Sequence, residues 1–169
     1  MKKELLIGCG SARDKRLTCD GTNEWTNLTT LDYNADHNPN VVHDLMQLPY
    51  PFADNTFDEI HAYEVLEHTG AQGDYKFFFA QFSELHRILK PNGHLLATCP
   101  SRTSVWALGD PSHTRVMQKE QLIFLDQDNY KQVGISSMSD FRGIYKADFQ
   151  VLMAEDHTDQ LLFILRAKK

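Results

Sequence analysis

Short apolar runs, each cut off by turn residues, dominate the first hundred positions. Runs at 4–8, 28–32, 41–44, 57–62 and 94–99 are too short for helices and read as strands. Leu5-Leu6-Ile7 leads into Gly8-Cys9-Gly10, a buried strand feeding a tight turn whose bare backbone N–H groups can face a ligand. The polar stretch 11–27 has no period of 3.6, so the helix expected after the first strand is short or missing. Asp36-His37-Asn38-Pro39-Asn40 is a turn cluster that leaves no room for a second one. Leu48-Pro49-Tyr50-Pro51-Phe52 is a proline-stiffened loop.

Residues 74–89 carry the strongest helical signal, with Phe78, Phe82, Leu85 and Leu89 forming a stripe on one face. Asp74 is placed to cap its start, and Pro91-Asn92-Gly93 ends it and turns the chain. A short helix is predicted over 118–126, and 128–146 has no regular period. Two final runs, 148–154 and 160–167, flank a polar turn and read as a hairpin. The order predicts an α/β fold: a Rossmann-like, doubly wound, mainly parallel sheet with one antiparallel strand in the C-terminal hairpin. Residues 1–169 form one domain, with a cofactor-binding half (1–100), a substrate or lid region (101–146) and the hairpin (147–169). Early helices are truncated. Long loops, a second copy or a partner subunit are expected to cover the thin sheet face.

Composition narrows the class. A net charge of −6 excludes general attraction to phosphate backbones or anionic lipid, and no aromatic–basic interleaving suggests nucleic acid. Arg13, Lys15 and Arg16 read as a solvated loop. No apolar run approaches the ~18 residues of a membrane span, and the start lacks the apolar stretch of a signal peptide. Cys9, Cys19 and Cys99 show no CxxC spacing, which fits free thiols in a reducing cytoplasm. His37, His43, His61, His86, His94 and His157 show no ligand spacing, so no metal is expected.

Asp32 ends the second strand about 20 residues beyond the glycine turn, where doubly wound folds grip ribose hydroxyls. Gly8, Gly10 and Asp32 together therefore predict a nucleoside-bearing cofactor. His113 is a candidate general base, because its unperturbed pKa is near neutrality. Trp106 in the same loop either closes over substrate or packs beneath the loop.

The ordered set of motifs resembles the class I S-adenosylmethionine-dependent methyltransferases, specifically their small type-11-like group. The matching pieces are Leu5 through Ser11, Thr30-Leu31-Asp32, His43 through Phe52, Asp54 through Ile60, Val65-Leu66-Glu67-His68, Glu84 through Leu95, and Pro100. The resemblance implies S-adenosyl-L-methionine as cofactor, S-adenosyl-L-homocysteine as product, and a small-molecule methyl acceptor. It implies cofactor contacts from Gly8, Cys9 (through backbone), Gly10, Ser11, Asp32, Tyr33, Asp44, Leu45, Met46 and Glu64. Tyr33 would lie against adenine, Asp44 would accept from the adenine amino group, and Leu45 and Met46 would line the base. Glu64 and His68 follow the fourth strand, facing the sulfonium, and join His113 as candidate catalytic groups.

Two positions depart from the family pattern. Leu6 stands where an acid often holds the cofactor's amino group, and Ala12 where a third glycine is common. The N-terminal helices that usually cap the pocket are missing ahead of the first strand. These departures keep two other readings open: a catalytically silent cofactor-binding subunit of a second protein, and other chemistry on the cofactor such as aminopropyl transfer or sulfonium cleavage. A nicotinamide oxidoreductase fits less well, because the turn lacks the spaced third glycine of the dinucleotide fingerprint.

Overall fold

The computed structural model describes residues 1–169. Its strands are β1 (Glu4–Ile7), β2 (Leu28–Asp32), β3 (Val41–Val42), β4 (Phe57–Tyr63), β5 (Leu89–Pro100), β6 (Phe149–Asp156) and β7 (Gln160–Ala167). They form one sheet in the order β3-β2-β1-β4-β5-β7-β6. The first five run parallel, and β7 alone opposes its neighbours β5 and β6. Strand order reverses beside β1, so the carboxyl ends of β1, β2 and β4 open a crevice there.

Helix α1 (Tyr75–Ile88) covers one face of the sheet. The Asp74 carboxylate accepts the Phe77 amide at 3.0 Å, satisfying one of the free N–H groups at the helix start. Its apolar buried face holds Phe82 and Leu85 of the expected stripe, with Phe79 and Ile88 in place of Phe78 and Leu89. Leu89 has already left the helix and pairs with Phe57 as the first residue of β5. The expected turn at Pro91–Gly93 is instead a bulge inside β5, after which pairing resumes at His94. A Cβ on Gly93 would stand 3.0 Å from the carbonyl oxygens of Asp58 and Lys90, so the bulge needs glycine. Strand β3 stops at Val42, because Asp44 opens a turn by accepting the Met46 amide at 2.9 Å.

No helix lies between β1 and β2. The loop between them folds over the opposite face, where Leu17 and Trp25 pack on Leu6, Cys9 and Tyr63. The reading of Lys15 as solvated is wrong: its side chain is 1% exposed, with Nζ 2.6 Å from Glu4 and 3.5 Å from Glu59. Beside it, His61 bridges Glu59 and the Tyr63 hydroxyl at 3.1 and 2.6 Å. That hydroxyl accepts the Arg16 and Leu17 amides, so a polar network under the sheet fixes the loop. The cover does not extend across the sheet. On β6 and β7, Leu162 and Ile164 stay half-buried and Leu152 is 47% exposed.

The remaining helices are single turns, α2 (Trp106–Gly109) and α3 (Lys119–Leu122), the latter shorter than expected and continued by a 3₁₀ turn. Cys9 and Cys99 are buried free thiols and Cys19 is an exposed one. No helix is long and apolar enough to cross a membrane.

Candidate functional site

The crevice holds a cleft of about 720 Å³, within the range of small-molecule sites. Of the candidate residues, Gly8, Gly10, Asp32, Tyr33, Asp44, Leu45, Met46, Glu64 and His68 all line it. Gly8 and Gly10 have φ of 58° and 51°, in the left-handed region that glycine enters without penalty. A Cβ on Gly8 would lie 2.1 Å from Val65 Cγ2, whereas Gly10 faces open space. Arg13 staples the turn from outside, donating to the Gly10 carbonyl and, at 2.7 Å, to that of His37.

Asp32 is buried at the end of β2. One of its oxygens accepts the Gly10 amide at 2.8 Å and the other the Asn34 amide at 2.9 Å. Each oxygen keeps a lone pair for a further donor. His37 Nδ1 lies 3.3 Å from Asp32 Oδ1, too poorly placed for a hydrogen bond, and is left without a partner. Met46 accepts the Gly70 amide on its sulfur, which holds the 44–46 turn against the cleft wall. Tyr33 is 76% exposed, so its ring is a flap at the rim rather than part of the core.

The other end is built on the segment after β4. Glu64 has φ of 50°, a conformation that costs a non-glycine residue about 1–2 kcal/mol. Its carboxylate accepts the Gln160 amide at 2.6 Å, tying the strained residue to β7. Residues Leu66–His68 form a 3₁₀ turn.

Three candidates sit outside the cleft. Cys9 is buried in the apolar cluster behind the turn, and Ser11 is exposed beyond it. The His113 ring stands behind His68, centroids 4.6 Å apart, and does not line the cleft. Trp106 does not pack beneath its loop and is 63% exposed; its carbonyl accepts His113 Nδ1–H at 2.8 Å. Sequence reasoning passed over the cleft-lining His37, His43, Val65, Thr69 and Ser112, and above all Glu67. Glu67 is 2% exposed, and neither of its oxygens has a hydrogen-bond partner. Burial pushes its pKa up to about 7; the Glu64 charge adds to this, and the Cys99 thiol and Arg115 offset it only in part. Its one outward sign is an acid inside the apolar run Val65-Leu66-Glu67-His68.

Residues 5–97 match the family model described as methyltransferase domain, more than half of the chain. The chain belongs to this methyltransferase family. The family's cofactor is S-adenosylmethionine, and the cleft suits it: open space over Gly10, free lone pairs on Asp32, and a carboxylate at the far end. Solved methyltransferases share the fold over nearly the whole chain. An S-adenosylmethionine-dependent methyltransferase from Archaeoglobus fulgidus is 16% identical, with TM-score 0.59 over 98% of this chain and 86% of that one. The N-methyltransferase NodS from Bradyrhizobium japonicum, in complex with S-adenosyl-L-homocysteine, is 17% identical, with TM-score 0.59 over 99% and 79%. A Haloferax volcanii protein in complex with a methyltransferase activator is 14% identical, with TM-score 0.57 over 99% and 83%. No curated protein sequence matches the chain.

Proposed function

We propose that this protein transfers a methyl group from S-adenosylmethionine to a small-molecule acceptor. The observation that carries the reading is the convergence of the Gly8–Gly10 turn, Asp32 and the 44–46 turn on one cleft. Asp32 accepts from the ribose hydroxyls. Asp44, with Leu45 and Met46, holds the base, and Tyr33 closes over it from the rim. When bound, the cofactor supplies an electrophilic methyl on a cationic sulfur. Glu64 places a carboxylate at that end of the cleft, where it favours the cation or takes the acceptor's proton. His68 lines the same end, whereas His113 reaches it only through His68. The acceptor enters between this end and residues 101–146, where Ser112 lines the wall. Calorimetric titration with S-adenosylmethionine and S-adenosyl-L-homocysteine, then an acceptor screen read by mass spectrometry, tests the proposal. Absence of binding overturns it. The spent cofactor's mass separates methyl transfer from aminopropyl transfer or sulfonium cleavage.

The open β6–β7 face supports a second reading, a cofactor-binding subunit that works with a partner protein. The Haloferax volcanii neighbour bound to an activator is a precedent for the arrangement. Binding without turnover, together with a stable complex on size exclusion, selects this reading.

A further inference from the structure

Glu67, His68 and His113 come from two separate segments and place one ligand atom each within 4.8 Å of one another. Glu67 is the only buried carboxylate in the molecule with both oxygens unpartnered. Its Oε1 lies 4.0 Å from His68 Nε2 and 4.0 Å from His113 Nε2, too far for hydrogen bonds. The tautomers follow from the other ring nitrogens. His113 Nδ1 faces the Trp106 carbonyl at 2.8 Å, and a carbonyl only accepts, so Nδ1 carries the hydrogen. His68 Nδ1 faces the Ser112 carbonyl at 3.3 Å and the Ser112 hydroxyl at 3.1 Å; that hydroxyl already donates to Asp110. In the neutral imidazoles both Nε2 atoms then aim lone pairs at an unpartnered carboxylate oxygen. Acceptors facing acceptors repel unless a proton or a metal cation lies between them, and three ligand atoms around one point suit a cation.

We propose that Glu67, His68 and His113 bind a divalent first-row transition-metal ion beside the cleft. Ligand atoms around such an ion, each about 2.1 Å away, stand roughly 3.0–3.5 Å apart. The observed 4.0 Å spacings need only small side-chain rotations to close. Backbone carbonyls orient both imidazoles through Nδ1–H, which is how metal-binding histidines are commonly held. Asp110 Oδ2, 3.7 Å from His113 Nε2, is placed to complete the shell or to accept from a bound water. Mixed imidazole and carboxylate donors suit zinc, manganese or iron(II); magnesium and calcium prefer oxygen-only shells. His68 and Ser112 line the cleft, so the ion would border the space that receives the acceptor. The spacing argument against a metal did not weigh this group, because His113 lies far from Glu67 and His68 along the chain.

Two other carboxylate–histidine groupings exist, and both use Glu59. Its oxygens are already held by Lys2, Lys15 and His61, and those of Glu4 by Lys15 and the Thr26 amide, so neither group has a free carboxylate to offer.

Zinc chloride and manganese chloride titrated into the metal-stripped full chain test the proposal, with magnesium chloride as the contrasting ion. No cofactor or turnover is needed, so failure here is distinct from failure of the methyltransferase reading. One equivalent of zinc or manganese is expected to bind, with affinity at least tenfold lower in Glu67→Gln and His113→Ala and unchanged in Cys19→Ser. Circular dichroism checks the fold of each variant. A second measurement needs only the unaltered chain: pulsed electron paramagnetic resonance of bound copper(II) is expected to show coupling to imidazole nitrogens. No stoichiometric binding, equal affinity in folded variants, loss in Cys19→Ser, or no imidazole coupling overturns the proposal.

Discussion

The Lys15 ammonium stands 2.6 Å from the Glu4 carboxylate, and water reaches neither side chain. Glu4 also accepts the Thr26 amide at 2.6 Å, so it ties the middle and the end of the loop that replaces a helix to β1. Breaking a buried pair from one side leaves an unpaired charge, at about 3–5 kcal/mol. Lys15→Met is expected to lose about that much stability in urea denaturation, and Lys15→Met with Glu4→Gln to regain more than half. A loss below about 1 kcal/mol for the single variant would mean that the pair does not hold the loop.

The same loop marks the limit of what the sequence discloses. The strands and α1 were readable because Leu5, Ile7, Phe82 and Leu85 obey the periods of strand and helix, and Asp74 signals a cap. Residues 11–27 obey no period, since what anchors them is a set of polar contacts to Glu4, Tyr63 and Glu59 on distant strands. Lysine composition suggests solvent, and only three-dimensional contact reverses that reading. The cleft was largely legible, because glycine turns and strand-end acids are local signals. Glu67 was not, because its importance lies in the partners it lacks.

His61 makes stability pH-dependent. It is packed among Glu59, Lys15, Glu4 and Tyr63, with the Trp25 ring edge-on at 4.8 Å. Burial lowers its pKa below the ordinary 6.5, with Glu59 opposing. As pH falls through about 6.5 the unfolded chain takes up a proton that the folded one refuses, so stability falls, by up to about 1.4 kcal/mol per pH unit. Glu59, held down to about 2, adds a loss of the same sign further into acid, as pH falls from 4.5. His61→Gln is expected to flatten the profile just below pH 6.5 and also to shrink the more acidic limb, because His61 is among the groups that hold Glu59 down. Parallel profiles for the two proteins would rule His61 out. Glu67 titrates with the opposite sign but is present in both proteins and cancels from the difference.

Asp32→Ala removes the acceptor for the Gly10 amide as well as the proposed acceptor for ribose. Loss of charged hydrogen bonds predicts a weakening of S-adenosyl-L-homocysteine binding by about 1–3 kcal/mol, measured by calorimetry. Unchanged affinity would remove Asp32 from the cofactor site.

Glu64→Gly relieves the left-handed backbone at the end of β4 but removes the carboxylate and its bond to Gln160. Melting experiments are expected to show stability held or raised by up to about 1 kcal/mol, while methyl transfer slows. A variant both less stable and fully active would show that the strain serves the fold rather than the reaction.

The slot between β5 and β6 is filled by β7, which follows both of them along the chain. During synthesis β6 leaves the ribosome with no neighbour to pair with, and β5 waits with one edge bare. The parallel half can assemble early, but the sheet closes only when β7 threads between two strands already in place. A stop codon in that segment would therefore leave two open strand edges at once, a template for aggregation rather than a slightly shortened protein.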